Sequence, residues 1–256
     1  MDLPRASDII GDMALCLTFF TRIPCQVHSS DRRFADALWA VPLIGALIGA
    51  FSGAAAVIAL AANLPPTVAA LFSLGVSVIL TGALHEDGAA DTADGFGGGK
   101  SPADALHIMR DSRIGSYGTL ALIFSIGARW AAIAAIIGVS ESSWIVWALV
   151  AAHACSRAII PAFAANVPPA STTGLSAGIG KIRPVTWRVS LALGLIIALG
   201  MGPTFAATTI LALAACFLLI ERLCRRAVGG QTGDVLGALQ QLCEATLLMV
   251  AASLLV

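Results

Sequence analysis

The chain has 256 residues, of which 58% are hydrophobic and only 12% are Asp, Glu, Lys or Arg. An average soluble domain is ~25% charged, so this chain lacks the residues for a soluble protein's surface, and contact with lipid removes that need. The formal net charge is zero, which excludes a global electrostatic attraction to nucleic acid.

The first residues carry Asp2, Asp8 and Asp12 and no basic flank leading into a cleavable apolar region, so no signal peptide is expected. The six cysteines, Cys16, Cys25, Cys155, Cys216, Cys224 and Cys243, form no CxxC. They read as small buried hydrophobes, not as a disulfide framework or a zinc site.

In chain order, the segment from Ile9 to Phe20 is interrupted by Asp12 and is too short to span a bilayer. It reads as an amphipathic interfacial helix over 8–20, ended by Thr21–Pro24. Spans are then expected at Leu38–Ala62, Thr67–Leu84, Tyr117–Gly138, Trp144–Phe163, Trp187–Leu199, Pro203–Ile220 and Val235–Val256. The fifth is short, and the Gly200–Gly202 break after it is the least defined boundary. Gly45, Gly49 and Gly53 make a small-residue stripe that permits close helix contact. The expected fold is all-α: a polytopic transmembrane helical bundle of about seven spans with cytoplasmic active-site loops. It forms a single integral-membrane catalytic domain over 1–256.

The connections are asymmetric. Asn63–Pro66, Val139–Ser143 and Gly200–Gly202 hold no Lys or Arg, and their only charge is Glu141. The other side holds Arg5, Arg22, Arg32, Arg33, Lys100, Arg110, Arg113, Lys181, Arg183, Arg188, Arg222, Arg225 and Arg226. The positive-inside rule places that side, with the N-terminus, in the cytoplasm of a bacterial inner membrane. Apart from Arg188 at the edge of the fifth span, only Arg129 and Arg157 fall within expected spans. Intramembrane arginines face a protein interior or a polar cavity. Arg157 sits near the cytoplasmic end, within reach of a phosphate. Arg129 is deeper, and a structural bridge is an equal reading. Glu244 is buried by this topology and needs a partner, for which these arginines are candidates.

The polar residues concentrate in Gly82–Gly118. Glu86, Asp87, Asp91, Asp94, Asp104 and Asp111 lie there with His85, His107, Arg110 and Arg113. Acidic residues at the end of a span are costly unless paired, solvated or bound to metal. Asp87, Asp91 and Asp94 stand at i, i+4 and i+7, so they share one face if the second span continues as helix. Like charges there repel, and Mg2+ or Mn2+ would offset that, because hard cations prefer oxygen ligands. Gly95, Gly97, Gly98 and Gly99 are expected to end the helix and admit a large polar ligand beside Lys100. Ser101 or Pro102 opens a second helix. On it Asp104, His107 and Asp111 share a face, with Arg110 and Arg113 on the neighbouring one. Carboxylates for metal beside arginines for phosphate suit phosphoryl transfer. Asp104 equally serves as a first-turn acid, and His85 and His107 equally serve structure. The glycine run is not a P-loop, since the glycine spacing before Lys100 is wrong. The polar loop Ala164–Pro184, with Asn166, Ser171–Thr173, Ser176, Lys181 and Arg183, is either a cover for the site or a passive connection. Asp234 follows Gly233 and can cap the last helix.

Four stretches carry a resemblance. They are LTFFTRIP at Leu17–Pro24, HxDGxADTxDG at His85–Gly95, IMRDSRIGSYG at Ile108–Gly118 and GGxTGDxLGA at Gly229–Ala238. With them the chain resembles the cobalamin synthase family, adenosylcobinamide-GDP ribazoletransferase, over almost its whole length. It departs at Glu86, where an apolar residue is usual, and at Ala89, where leucine is common. The resemblance implies that adenosylcobinamide-GDP and alpha-ribazole, or its 5'-phosphate, give adenosylcobalamin, or its 5'-phosphate, and GMP, with Mg2+ as cofactor. On that basis Asp87, Asp91 and Asp111 are the candidate metal ligands. Arg110 and Arg113 steady the phosphates, and Asp94 or His85 takes the hydroxyl proton, with Asp94 preferred. Arg157, Gly97, Gly98, Lys100 and Asp234 are candidate substrate contacts. The expected partners are these small molecules and the lipid bilayer, with no nucleic acid; a homo-oligomer stays open. The alternatives are a membrane phosphotransferase of the CDP-alcohol type and a cation-coupled transporter. A transporter would place its acids near the bilayer midplane, and here they sit at an edge.

Overall fold

The computed structural model describes residues 6–25, 33–172 and 178–255. The expectations for Asp2, Arg5, Arg32, Thr173, Ser176 and Val256 lie outside the described residues.

The described chain is helical, with one isolated parallel bridge between Pro169 and Gln231. Helix α1 is Ala6–Phe20. Helix α2, Phe34–Ala37, runs through a short turn of tighter helix at Leu38–Ala40 into α3, Val41–Ala61. Then come α4 (Pro66–Thr81), α5 (Leu84–Gly98), α6 (Pro102–Ile108), α7 (Ser116–Val139), α8 (Ser142–Ala158) and α9 (Ile160–Asn166). The last three are α10 (Pro184–Leu199), α11 (Pro203–Ala227) and α12 (Gly233–Leu255). Proline opens α4, α6, α10 and α11, where its missing N–H costs nothing and its φ already suits a helix.

Five stretches are long and apolar enough to cross a bilayer: Phe34–Ala61, Ser116–Val139, Ser142–Asn166, Pro203–Ala227 and Gly233–Leu255. Helices α4 and α10 have 16 residues each, about 24 Å at 1.5 Å per residue, against a hydrocarbon core of about 30 Å. The expected seven spans thus resolve into five full-length helices and two shorter ones. Large apolar residues such as Phe72, Ile79, Phe124, Ile196 and Leu211 point outward, as a lipid-facing surface requires. The molecule is a multi-pass membrane protein.

The second span does not continue as one helix, which corrects the sequence expectation. Gly82 and Ala83 both adopt the left-handed conformation, with φ 63° and 58°, and α5 leaves α4 at 87°. Glycine does this freely, whereas an L-residue such as Ala83 is disfavoured by about 1–2 kcal/mol. The turn is held by the Arg22 N–H, which donates to Leu80 O at 2.6 Å. A side chain at position 82 would collide with the Arg22 guanidinium. Helix α5 is therefore not a spanning segment but lies across one end of the bundle.

The glycine stripe packs as expected. A Cβ on Gly49 would meet Leu149 O at 2.5 Å, and one on Gly53 would meet Val146 Cα at 2.8 Å. Helices α3 and α8 are thus antiparallel and in backbone contact. Gly200 packs on Trp147, and Trp130 Nε1 donates to Thr67 O at 2.8 Å. These contacts put the three cation-free connections at the same end of the bundle. Helix α5, the α6–α7 loop and the start of α12 occupy the other end.

Helix α1 exposes Ile9, Ile10 and Met13 and buries its other side. Cys16 and Phe20 are buried, and Asp12 is buried too, its Oδ2 accepting from Trp39 Nε1 at 2.8 Å. That bond explains how an acid interrupts the apolar run without exposing it.

Candidate active site

Two glycines bring the acidic residues together. A Cβ on Gly88 of α5 would lie 2.9 Å from Asp234 Cα, and one on Gly237 of α12 would lie 3.2 Å from His85 O. Helices α5 and α12 can cross at this separation only without side chains there. The crossing sets Asp87 and Asp91 beside Asp234. Asp91 reports the result: burial, then the charges of Asp87, Asp234 and Asp94, push its carboxyl up to about 6. Sequence reasoning treated Asp234 as a cap or a substrate contact. The hydroxyl of Thr232 instead accepts the Val235 N–H at 3.2 Å and donates to Asp234 Oδ2 at 3.3 Å.

Asp94 shares the helix but has a different job. It is buried, and its two oxygens accept the N–H groups of Gly115 at 2.7 Å and Gly118 at 2.8 Å. It closes the N-terminus of α7, where free N–H groups and the helix dipole favour an anion. Each oxygen thereby takes one backbone N–H and keeps further acceptor capacity.

The glycine run ends α5, as expected, at its far side. The helix continues to Gly98 because Met109, Tyr117 and Ala105 fill the places that β-carbons of Gly95, Gly97 and Gly99 would need. Gly97 lies against Tyr117 and Gly98 near Ile108, and both are exposed. The Lys100 N–H donates to Asp104 Oδ2 at 2.9 Å, and Ser101 Oγ accepts from the Asp104 N–H at 3.2 Å. Ser101 caps α6 and Asp104 supports the cap, as the sequence suggested.

Helix α6 stops at Ile108, so Asp111 lies in the following loop and not on a face with Asp104 and His107. Arg113 bonds it in bidentate fashion, with Nη2 donating to Oδ2 at 2.6 Å, and together with its backbone N–H holds the Asp111 carboxyl down at about 2. Arg113 is 87% exposed at its side chain. Arg110 is placed differently. It lines the pocket described below and lies close enough to Asp234 to act on it electrostatically.

Arg157 is not on the pocket wall. It and Arg129 are buried in the bundle, each with one Nη1 donating to a Glu244 oxygen at 3.0 Å. Arg129 Nη1 also donates to Glu86 Oε1 at 3.0 Å, and Gln240 Nε2 donates to Glu244 Oε2 at 2.6 Å. Two arginines and two glutamates balance, which is how charge survives burial. The deep bridge foreseen for Arg129 and the partner sought for Glu244 are the same contact. Glu86, which departs from the family pattern, supplies one of its corners.

Beneath the acidic group lies a cavity of about 300 Å3. Its inner wall is apolar and aromatic, with Phe19, Phe20, Phe34, Leu38 and Ile160; Asp87, Arg110, Thr232 and Asp234 form its more exposed rim. His85 lines it, 3% exposed and stacked on Phe20 with ring centroids 6.0 Å apart. Neither ring nitrogen has a partner among the described residues, and a buried imidazole so placed is costly unless a ligand or water satisfies it. Sequence reasoning found His85 and missed the aromatic wall. Phe19 and Phe20 sit in the LTFFTRIP stretch, whose conspicuous pattern was the available signal.

A bundle of membrane-length helices with an acidic, arginine-bearing pocket at one end defines a membrane-embedded enzyme. The cobalamin-5-phosphate synthase family profile matches residues 12–252, and the chain belongs to that family. It is 43% identical over 250 residues to the adenosylcobinamide-GDP ribazoletransferase of Bradyrhizobium diazoefficiens, covering 96% of this chain and 95% of that one. Proteins of the same name from Mesorhizobium japonicum and Azorhizobium caulinodans are each 43% identical, over 256 and 257 residues. They cover 98% and 96% of this chain, and 98% and 96% of their own lengths. No solved structure matches the chain.

Proposed function

We propose that this chain transfers the adenosylcobinamide-phosphate group of adenosylcobinamide-GDP to alpha-ribazole or its 5'-phosphate, giving adenosylcobalamin or its 5'-phosphate and GMP. A ribose hydroxyl oxygen of the acceptor bonds to the phosphorus attached to cobinamide. The bond from that phosphorus to the GMP oxygen breaks, and the hydroxyl proton passes to a base on the protein. The observation that carries this reading is the convergence of Asp87, Asp234 and Arg110 on the rim of one pocket, with Asp91 close to both acids, in a chain matched along its length by relatives of that name.

The donor set suits Mg2+. Asp87 and Asp91 offer hard oxygen ligands, and the Asp91 carboxyl is raised first by burial and then by the like charges of Asp87, Asp234 and Asp94, which a cation would relieve. Among the described residues no three acidic, His or Cys side chains form a closed cage; Mg2+ commonly takes one or two carboxylates and completes its shell with water and substrate phosphate. When bound, the ion would neutralise charge on the pyrophosphate. Arg110 is placed to hold a phosphate oxygen by charge-assisted hydrogen bonds. Asp94, whose two oxygens each take one backbone N–H and keep further acceptor capacity, and His85 are the two candidate proton acceptors.

The site faces the cytoplasm of a bacterial inner membrane in this reading. Its support is that Lys100, Arg110 and Arg113 share the site's end of the bundle, while the opposite connections hold no Lys or Arg. The test is GMP release by purified, lipid-reconstituted protein given adenosylcobinamide-GDP with each acceptor, with and without Mg2+. Release that needs both acceptor and Mg2+ is expected. No release with either acceptor overturns the assignment.

A further inference from the structure

We infer that the aromatic cavity beneath Asp87 is the acceptor pocket, holding the two-ring base of alpha-ribazole against Phe20 and Phe34, while the corrin ring of the donor stays outside it. The inference rests on the reaction proposed above and divides its two substrates between two places.

The argument begins with size. A cavity of about 300 Å3 lies at the small end of the roughly 300–1,000 Å3 range of ligand pockets. A nucleoside with a bicyclic base fits such a space. A corrin with its amide side chains is several-fold larger and does not.

Chemistry agrees with size. The inner wall offers rings and aliphatic chains with few polar atoms. Phe19 and Phe34 stand 4.8 Å apart at 48°, and Phe20 meets Phe19 edge to face at 4.9 Å. A flat, uncharged aromatic base gains from such surfaces through burial and offset ring contact. A guanine base would carry several donors and acceptors into this wall and leave them unpaired, which is unfavourable. The polar end of the cavity matches the polar end of a nucleoside. His85 lines the same cavity with both ring nitrogens unpartnered among the described residues, and a neutral imidazole has one donor and one acceptor to offer a ribose. Beyond His85 the rim carries Asp87 and Arg110, where the donor's pyrophosphate has to lie for the ribose hydroxyl to reach phosphorus. Base inside, ribose at His85 and phosphate at the rim is the order in which the acceptor's own parts are joined.

Steady-state GMP release by the full chain in lipid nanodiscs tests this, with each substrate varied at saturation of the other. Phe34→Ala should raise the KM for alpha-ribazole at least tenfold and leave that for adenosylcobinamide-GDP within twofold. Phe34→Leu, which restores bulk without a ring, should recover part of the loss. Free 5,6-dimethylbenzimidazole should compete with alpha-ribazole and not with the donor. Since Phe34 is only partly buried, the variant is expected to fold; the inhibition pattern of the unmodified protein stands as a second, mutation-free measurement. A rise in the donor KM alone, or inhibition competitive with the donor, overturns the pocket assignment and leaves the proposed reaction standing. Absence of GMP release from the unmodified protein overturns the reaction itself.

Discussion

Asp94 Oδ1 accepts the N–H of Gly118 at 2.8 Å, tying the polar helix α5 to the first turn of the long helix α7. Asp94→Ala removes this bond and the one to Gly115, each charge-assisted and worth about 1.5–3 kcal/mol. Asp94→Asn keeps one acceptor and should lie between. Thermal unfolding in detergent is expected to rank the unmodified protein above Asn and Asn above Ala, with Mg2+ dependence of the folded fraction unchanged. An Asp94→Asn protein of full stability that has lost its Mg2+ response would refute the capping role.

Glu244→Gln leaves Arg129 and Arg157 facing each other without their shared anion. Breaking a buried pair from one side costs about 3–5 kcal/mol. A steep fall in the yield of monodisperse protein and in Tm is expected. Neither arginine lines the pocket, so the folded remnant should retain its substrate KM values.

Gly49→Ala places a methyl 2.5 Å from Leu149 O, on backbone that cannot swing away, whereas a methyl at Gly75 meets nothing within 4 Å. Overpacking costs about 1–3 kcal/mol. Gly49→Ala should lower Tm by several degrees and Gly75→Ala should not, as scanning fluorimetry would record.

Asp87→Asn removes a hard ligand. The Mg2+ concentration for half-maximal GMP release should rise on the order of tenfold or more, and excess chelator should abolish release from the unmodified protein. An unchanged Mg2+ titration would remove Asp87 from the metal site.

Arg110 and Arg113 look equivalent in the sequence and are not in the structure. Arg110→Ala should lower kcat/KM by roughly 10- to 150-fold, the equivalent of about 1.5–3 kcal/mol for a hydrogen bond to a charged group. Arg113→Ala opens an exposed pair with Asp111 and should change kcat/KM by less than about threefold. Parallel kinetics of the two variants decide it.

Much of this protein was legible before any coordinates. Apolar runs marked the spans because a bilayer sets their length, and proline marked the start of α11 because it suits the first turn of a helix and not its interior. The glycine stripe of α3 announced a close helix contact, though not that α8 would be its partner. At the site, local spacing did worst where the decisive contact was distant. Nothing near Asp94 shows that Gly118 will take its oxygens. Nothing near Asp87 shows that Asp234, more than half the chain away, will stand opposite it.

The composition and order of the residues alone determined a membrane protein with one polar end, and the crowding of acids in Gly82–Gly118 located its chemistry, because charge is too costly to keep there without use. Only the tertiary structure separated those acids by role. The left-handed pair at Gly82 and Ala83 turned α5 across the bundle, and the bare surfaces of Gly88 and Gly237 let α12 reach it. The polar segment therefore splits into Asp87 on an open rim with Asp91 beside it, Asp94 inside a helix cap and Glu86 in the buried ion cluster. The physical reason is that a carboxylate takes its function from the donors that surround it, and here those donors come from helices far apart in the chain.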